Sequence, residues 1–187
     1  LRLEPGSPRD FRVFRNAVPL KNPNHGEVLG YEAQYVGRAS LVRGEGTFDS
    51  VVDGKRQTDI VPASIDIVSI KEEIRAGDRL LPEPARQMRS YVPRLPGVPV
   101  EQGRIISVYG NAVVNAAQNQ VVAINMGSED GLETGHVLAI LSDGARLVDK
   151  TDPDRTRIKL PNERNGLLMV FRTFERVSYG LILESRL

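Results

Sequence analysis

The sequence predicts an all-β protein built as two small barrel- or sandwich-like modules joined by a Pro-rich linker, with little helix. Three observations carry this. A strand, an acidic glycine-rich turn and a second strand occupy residues 121–138, and a fainter copy occupies 67–80. Both read as an apolar strand, an acidic turn, Ile or Leu (Ile74, Leu132), two residues, Gly (Gly77, Gly135), then Asp78 or His136, one residue and Leu (Leu80, Leu138). Elsewhere, short alternating apolar runs are separated by Gly and Pro, the pattern of short strands in sandwiches and barrels. Between the two copies, Pro82, Pro84, Pro93, Pro96 and Pro99 fix φ and remove ladder donors. The resulting division is an N-terminal β module at 1–83, a Pro-rich linker at 84–102, and a C-terminal SH3-like β-barrel at 103–187.

The strands follow in order. Phe11-Arg12-Val13-Phe14 alternates apolar and basic residues as a half-buried strand does. Residues 28–42 hold two strands, the first with Tyr31, Ala33 and Tyr35 on one face, and Gly37 marks a bend or bulge. Residues 44–59 form a long hairpin tip around Asp53-Gly54, a dipeptide suited to two-residue turns. Ile60-Val61 and residues 64–70 supply further strands, with Pro62 indicating an edge or a break. The second half restarts at Arg104–Val108 and 112–114, turned by Gly110-Asn111. Residues 166–174 and 177–183 form a closing hairpin, whose first strand is apolar enough for burial on both faces. Residues 71–76 and 84–90 each have room for one short helix. Residues 143–164, dense in both charges, read as a long polar loop, either mobile or partner-binding. The Pro-rich stretch is either a solvated connector or a strap packed across the modules.

Bulk numbers narrow the function classes. A net charge of +1 provides no global field to attract nucleic acid, and basic residues and aromatics do not cluster into a stacking platform. The 20 Arg against 5 Lys suit planar pairing with carboxylates or phosphates, but a genome-composition bias yields the same ratio. No apolar run approaches the ~20 residues of a spanning helix. With no Cys, disulfides, thiolate catalysis and cysteine metal sites are excluded. The chain starts at Leu1 and reads as a trimmed or mature fragment, so its lack of a signal pattern says nothing about location.

Catalytic vocabulary is thin. The two histidines, His25 in the turn 22–26 and His136 after Gly135, have no nucleophile elbow to serve. His136 fills the slot of Asp78, an exchange that points to polar turn chemistry. Glu72-Glu73 and Glu129-Asp130 are adjacent acids on exposed turns, whereas glycosidase carboxylates face one another across ~5–10 Å. Asp149, Asp152 and Asp154 offer oxygen ligands to a hard cation, against which stand Lys150 and Arg155. Gly127, Gly131 and Gly135, four apart, lead into a strand and lack the helix N-terminus a phosphate loop needs. They are explained instead as positions where the turn needs positive φ. The expectation is no catalytic, cofactor or metal residue.

Gly103–Gly110, residues 121–138 and residues 159–181 resemble the C-terminal region of LysM-containing cell-envelope proteins of Gram-negative bacteria, with 160–179 the most specific part. Residues 26–33 and 71–80 fit as well. More loosely, 131–138 is similar to the C-terminal barrel of the flagellar assembly protein T family, where Asp is usual at the place of His136. The LysM resemblance implies a periplasmic, peptidoglycan-associated, non-enzymatic protein. Peptidoglycan would be bound by a LysM module outside this chain, since no stretch here looks like one, and the region itself would be an accessory element. The alternative is a protein–protein interaction module in an envelope assembly such as the flagellar basal region. Neither nucleic acid nor a transmembrane segment is expected, and no catalytic residue is carried over.

Overall fold

The computed structural model describes residues 7–84, 90–110 and 117–185. Among them lie thirteen β-strands and a single 3-10 turn at Ser128–Asp130. The chain divides into two compact units, one of Leu1–Val18 with Glu32–Met88 and one of Pro19–Tyr31 with Arg89–Leu187. A cut at residue 83 does not anticipate residues 19–31 joining the second unit. There Leu20 packs with Ala123 and Val177, flanked by Leu29, Ile106 and Tyr179.

The first unit is a four-stranded sheet. A long hairpin of β1 (Asp10–Lys21) and β2 (Val28–Arg43) lies at its centre, with β5 (Ser64–Ile70) beside β2 and β6 (Arg79–Pro82) beside β1. Val13, Val36 and Ala39 form the core, with Ile74 and Leu80 packed on them. Residues 28–43 make one continuous strand instead of two. Gly37 marks a close approach, because a Cβ there would lie 2.5 Å from the Ser69 carbonyl oxygen. Between β2 and β5 runs a separate ribbon of β3 (Gly46–Val52) and β4 (Lys55–Val61). Its turn is the expected Asp53-Gly54, with φ of 52° and 72°. Two successive positive φ values match the right-handed twist of the flanking strands.

The second unit is a five-stranded curled sheet in the order β7 (Ile105–Val108), β8 (Val121–Ile124), β13 (Ser178–Ser185), β12 (Glu163–Thr173) and β9 (Val137–Ser142). Its core is Val122, Ile124, Leu132, Leu138, Leu168, Val170 and Ile182. Burying each such aliphatic side chain contributes about 1.5–3 kcal/mol. Register shifts at Leu167/Leu168, Val170/Arg172 and Arg164/Gly166 bend β12 around this core. In β12, full burial alternates with partial burial from Gly166 to Phe171, so only one face is fully buried and not both.

The two units share a plan that is circularly permuted between them. In the first, the hairpin β1–β2 precedes β5 and β6; in the second, β8 and β9 precede the hairpin β12–β13. In both, the strand before the acidic turn pairs with the hairpin's second strand, and the strand after it pairs with the hairpin's first. The sequence repeat is therefore a repeated way of flanking a hairpin.

Two further expectations are corrected. Residues 71–76 are not helical; they run through bends into a tight turn. Residues 143–164 are not a long structureless loop, because β10 (Arg146–Val148) and β11 (Arg157–Lys159) pair antiparallel within them. In the Pro-rich stretch, Arg94 makes a parallel bridge with His136, donating its N–H to Gly135 O at 3.0 Å and accepting from Val137 N–H at 2.9 Å. The expected strand at 112–114 with its Gly110-Asn111 turn, and most of the helix at 84–90, fall outside the described residues.

Candidate functional site

The repeated turn is the best-defined constellation of polar residues among the described residues. In Arg75-Ala76-Gly77-Asp78, the Asp78 N–H donates to Arg75 O at 3.1 Å and the Arg75 N–H donates back to Asp78 Oδ2 at 2.8 Å. In Glu133-Thr134-Gly135-His136, the His136 N–H donates to Glu133 O at 3.2 Å and the Glu133 N–H donates to His136 Nδ1 at 3.1 Å. Gly77 and Gly135 both have φ of +96°, the conformation a four-residue turn requires at its third position. Asp and His are interchangeable there because each offers one acceptor at the same reach. Just before each turn, Ile74 or Leu132 anchors it in the core. His136, 4% exposed, is thereby fixed as an acceptor in a turn.

Asp78 has a second partner. Arg15 from β1 donates from Nε to Asp78 Oδ1 at 2.9 Å and from Nη2 to Oδ2 at 2.8 Å, a two-point grip, and also reaches the Glu73 carbonyl. The Arg15 hydrogen bonds, then the Arg75 backbone N–H, draw the Asp78 pKa down to about 2. Charge-assisted bonds to the ionised form favour it. Arg15 is one of two arginines in β1, with Arg12, and its partner 63 residues away is set by the pairing of β1 with β6.

Other acids are also engaged. Glu72 accepts from Gln34 at 2.6 Å, and Glu73 is gripped by Arg75 at 2.6–2.8 Å. Asp130 Oδ2 accepts from the Gly127 N–H at 2.9 Å, closing the 3-10 turn on itself. The N–H groups of Ser128 and Glu129 donate to the carbonyls of Phe174 and Glu175 at 2.8 and 3.1 Å, so they clamp the β12–β13 turn. Asp149 accepts from Thr151, and Asp152 from Asp154 and Thr156; these bonds shape the β10–β11 ribbon and hold both carboxyl pKa values below the usual range. Among the described residues, no group of three or more His, Cys, Asp or Glu is placed to hold a metal ion.

A cleft that no motif marks opens in the second unit. It has a volume of about 610 Å³ and is lined by the β1–β2 turn (Asn22, His25), the strap (Glu101, Gln102) and the start of the acidic turn (Asn125, Asp130). Several walls are fixed by backbone bonds: Asn22 Oδ1 accepts from Asn24 N–H at 3.0 Å, and Asn125 Oδ1 from Arg104 N–H at 2.6 Å. His25 lies at this surface, 3.8 Å from Glu27, which in turn pairs with Arg176 at 2.6 Å. The lining mixes these amides and carboxylates with the apolar side chains of Val98, Pro99 and Met126.

No family model matches the chain, and no curated protein matches it.

Proposed function

We propose that this chain is a non-catalytic accessory or interaction region of a peptidoglycan-associated, LysM-type cell-envelope protein acting in the periplasm. Peptidoglycan itself is held by a LysM module outside this chain. The observation that carries the non-catalytic reading is the commitment of its polar side chains to turns. Asp78, Asp130, His136, Asp149 and Asp152 each accept a backbone N–H within four residues. A general acid or base needs instead a group aimed at a reacting atom. The envelope context rests on the resemblance of residues 103–110, 121–138 and 159–181. Tethering to a glycan-binding neighbour raises effective concentration to the mM range without strong affinity of its own.

Co-sedimentation with purified peptidoglycan tests this. The chain alone is expected to remain in the supernatant, and its fusion to a LysM module to pellet. Pelleting of the chain alone to the same extent overturns the accessory role.

A second reading is a protein–protein interaction module in an envelope assembly such as the flagellar basal region. The β3–β4 ribbon favours it, because Phe48, Val51, Val52 and Ile60 are all more than half exposed. A two-stranded ribbon is marginal by itself, and such side chains gain from a partner. A photo-crosslinker at Phe48 should then capture one specific envelope protein in cells. Absence of any specific adduct counts against this version.

A further inference from the structure

We propose that β5 is a dimerisation edge, along which the first unit pairs antiparallel with β5 of a second copy of this chain. Sheet edges present unpaired backbone groups, and proteins guard them with short strands, Pro, charge or a covering segment. Among the described residues, the other edge strands of the two larger sheets are shorter than β5. β9 is bridged by Arg94 at its first residue, β6 is four residues long with Arg79 and Pro82 at its ends, and β7 is also four residues long with Ile106 and Val108 packed inward. The free ribbon strands carry Asp49, Lys55, Arg56 and Asp59, or Arg146, Arg157 and Lys159. β5 differs. It has seven residues, one charge, no Pro, and four exposed aliphatics: Ile65 (36%), Ile67 (49%), Val68 (58%) and Ile70 (65%).

The register explains how these side chains gather. Ile65 lies opposite Leu41, Ile67 opposite Ala39 and Ile70 opposite Gly37, whereas Val68 is the extra residue of a bulge. Directly opposed residues share a face, so Ile65, Ile67 and Ile70 all lie on the face of the buried Ala39 and Leu41. Without the bulge, Ile70 would point the other way. The apolar face of the sheet thus runs out to β5 and ends there in solvent.

Two features select a second copy as the occupant. Pairing β5 with β5 uses the same edge in both copies, so it closes as a two-fold dimer. The only charge in β5, Asp66, is followed by Lys71 just beyond its end. An antiparallel alignment brings Asp66 of each copy toward Lys71 of the other, twice by symmetry, whereas a parallel one sets like beside like.

Sedimentation equilibrium of the intact chain should show a dimer. Asp66→Lys or Lys71→Asp alone should weaken it about tenfold, because each lesion counts twice in the symmetric interface, and the double swap should restore it. Val68→Lys, at a bulge residue with no cross-strand partner, should give a monomer with an unchanged far-UV spectrum. A monomer at about 100 µM overturns the proposal. So does a dimer indifferent to Val68→Lys and to both single charge changes. Capture of another protein's strand at β5 by a chain that is monomeric alone also overturns it.

Discussion

Gly127 and Gly131 are four residues apart in one turn, yet the structure requires glycine at them for opposite reasons. Gly127 does not have the positive φ expected of it: its φ of −135° is one any residue adopts, but a Cβ there would lie under 3.0 Å from the carbonyl oxygens of both Phe174 and Glu175. Gly131 has φ of +77° and open space around it. Gly127→Ala must therefore push the turn away from the β12–β13 connection. That breaks the bonds from Ser128 N–H and Glu129 N–H, each worth about 1 kcal/mol net. It also displaces Leu132, whose N–H is bonded to Gly127 O and whose side chain is 1% exposed in the core. Core displacement of this kind adds about 1–3 kcal/mol, for a total near 3–5 kcal/mol. Gly131→Ala meets only the left-handed backbone penalty of about 1–2 kcal/mol. Urea denaturation of both variants, followed by far-UV circular dichroism, ranks them. A Gly127→Ala loss no larger than that of Gly131→Ala refutes the reasoning. A further check is Gly131→Asn, which tolerates positive φ and should recover part of the Gly131→Ala loss, whereas Gly127→Asn should be at least as damaging as Gly127→Ala.

Three other outcomes follow from the same turns and core. Asp78, held to about 2 by Arg15, contributes stability that is complete above its ordinary value near 3.8 and is lost as pH falls through about 2; carboxyl NMR should find its midpoint near 2, and Asp78→Asn should reduce the acid dependence of unfolding between those values. His136→Asn keeps an acceptor for the Glu133 N–H and should cost under about 1 kcal/mol, whereas His136→Ala loses the acceptor and leaves a cavity, costing about 2–3 kcal/mol by denaturant melting; equal losses would mean the side-chain bond is immaterial. Ser178 is fully buried, and its Oγ has no partner among the described residues; Ser178→Ala should therefore be neutral or stabilise by up to about 1 kcal/mol, and a clear loss in the same melt would reveal a bond to that hydroxyl.

The repeat at 67–80 and 121–138 was legible because its turns are local. Gly77 and Gly135 need positive φ, Asp78 and His136 close the turn on a residue three back, and Ile74 and Leu132 precede it as core anchors. The Asp53-Gly54 ribbon and the β12–β13 hairpin were legible for the same reason. The β10–β11 ribbon was hidden, because Arg146-Leu147-Val148 and Arg157-Ile158-Lys159 are only three residues each and their turn is held by Asp and Thr side chains that resemble an ordinary polar loop. The cleft at Asn22, Glu101 and Asn125 carries no motif, since its walls come from three distant segments.

By itself, then, the sequence determined the all-β class, the main hairpins and the chemistry of the acidic turns, all set within a few residues by φ preference and alternation. Only the tertiary structure decided that each turn's two strands separate to flank a hairpin, that the two units are permuted relative to each other, and that residues 19–31 join the second unit. It also decided that Arg15 meets Asp78 and that β5 lies at a sheet edge. Strand pairing and register are choices among distant backbones, and the free energy that makes them comes from burying faces assembled from residues far apart in the chain.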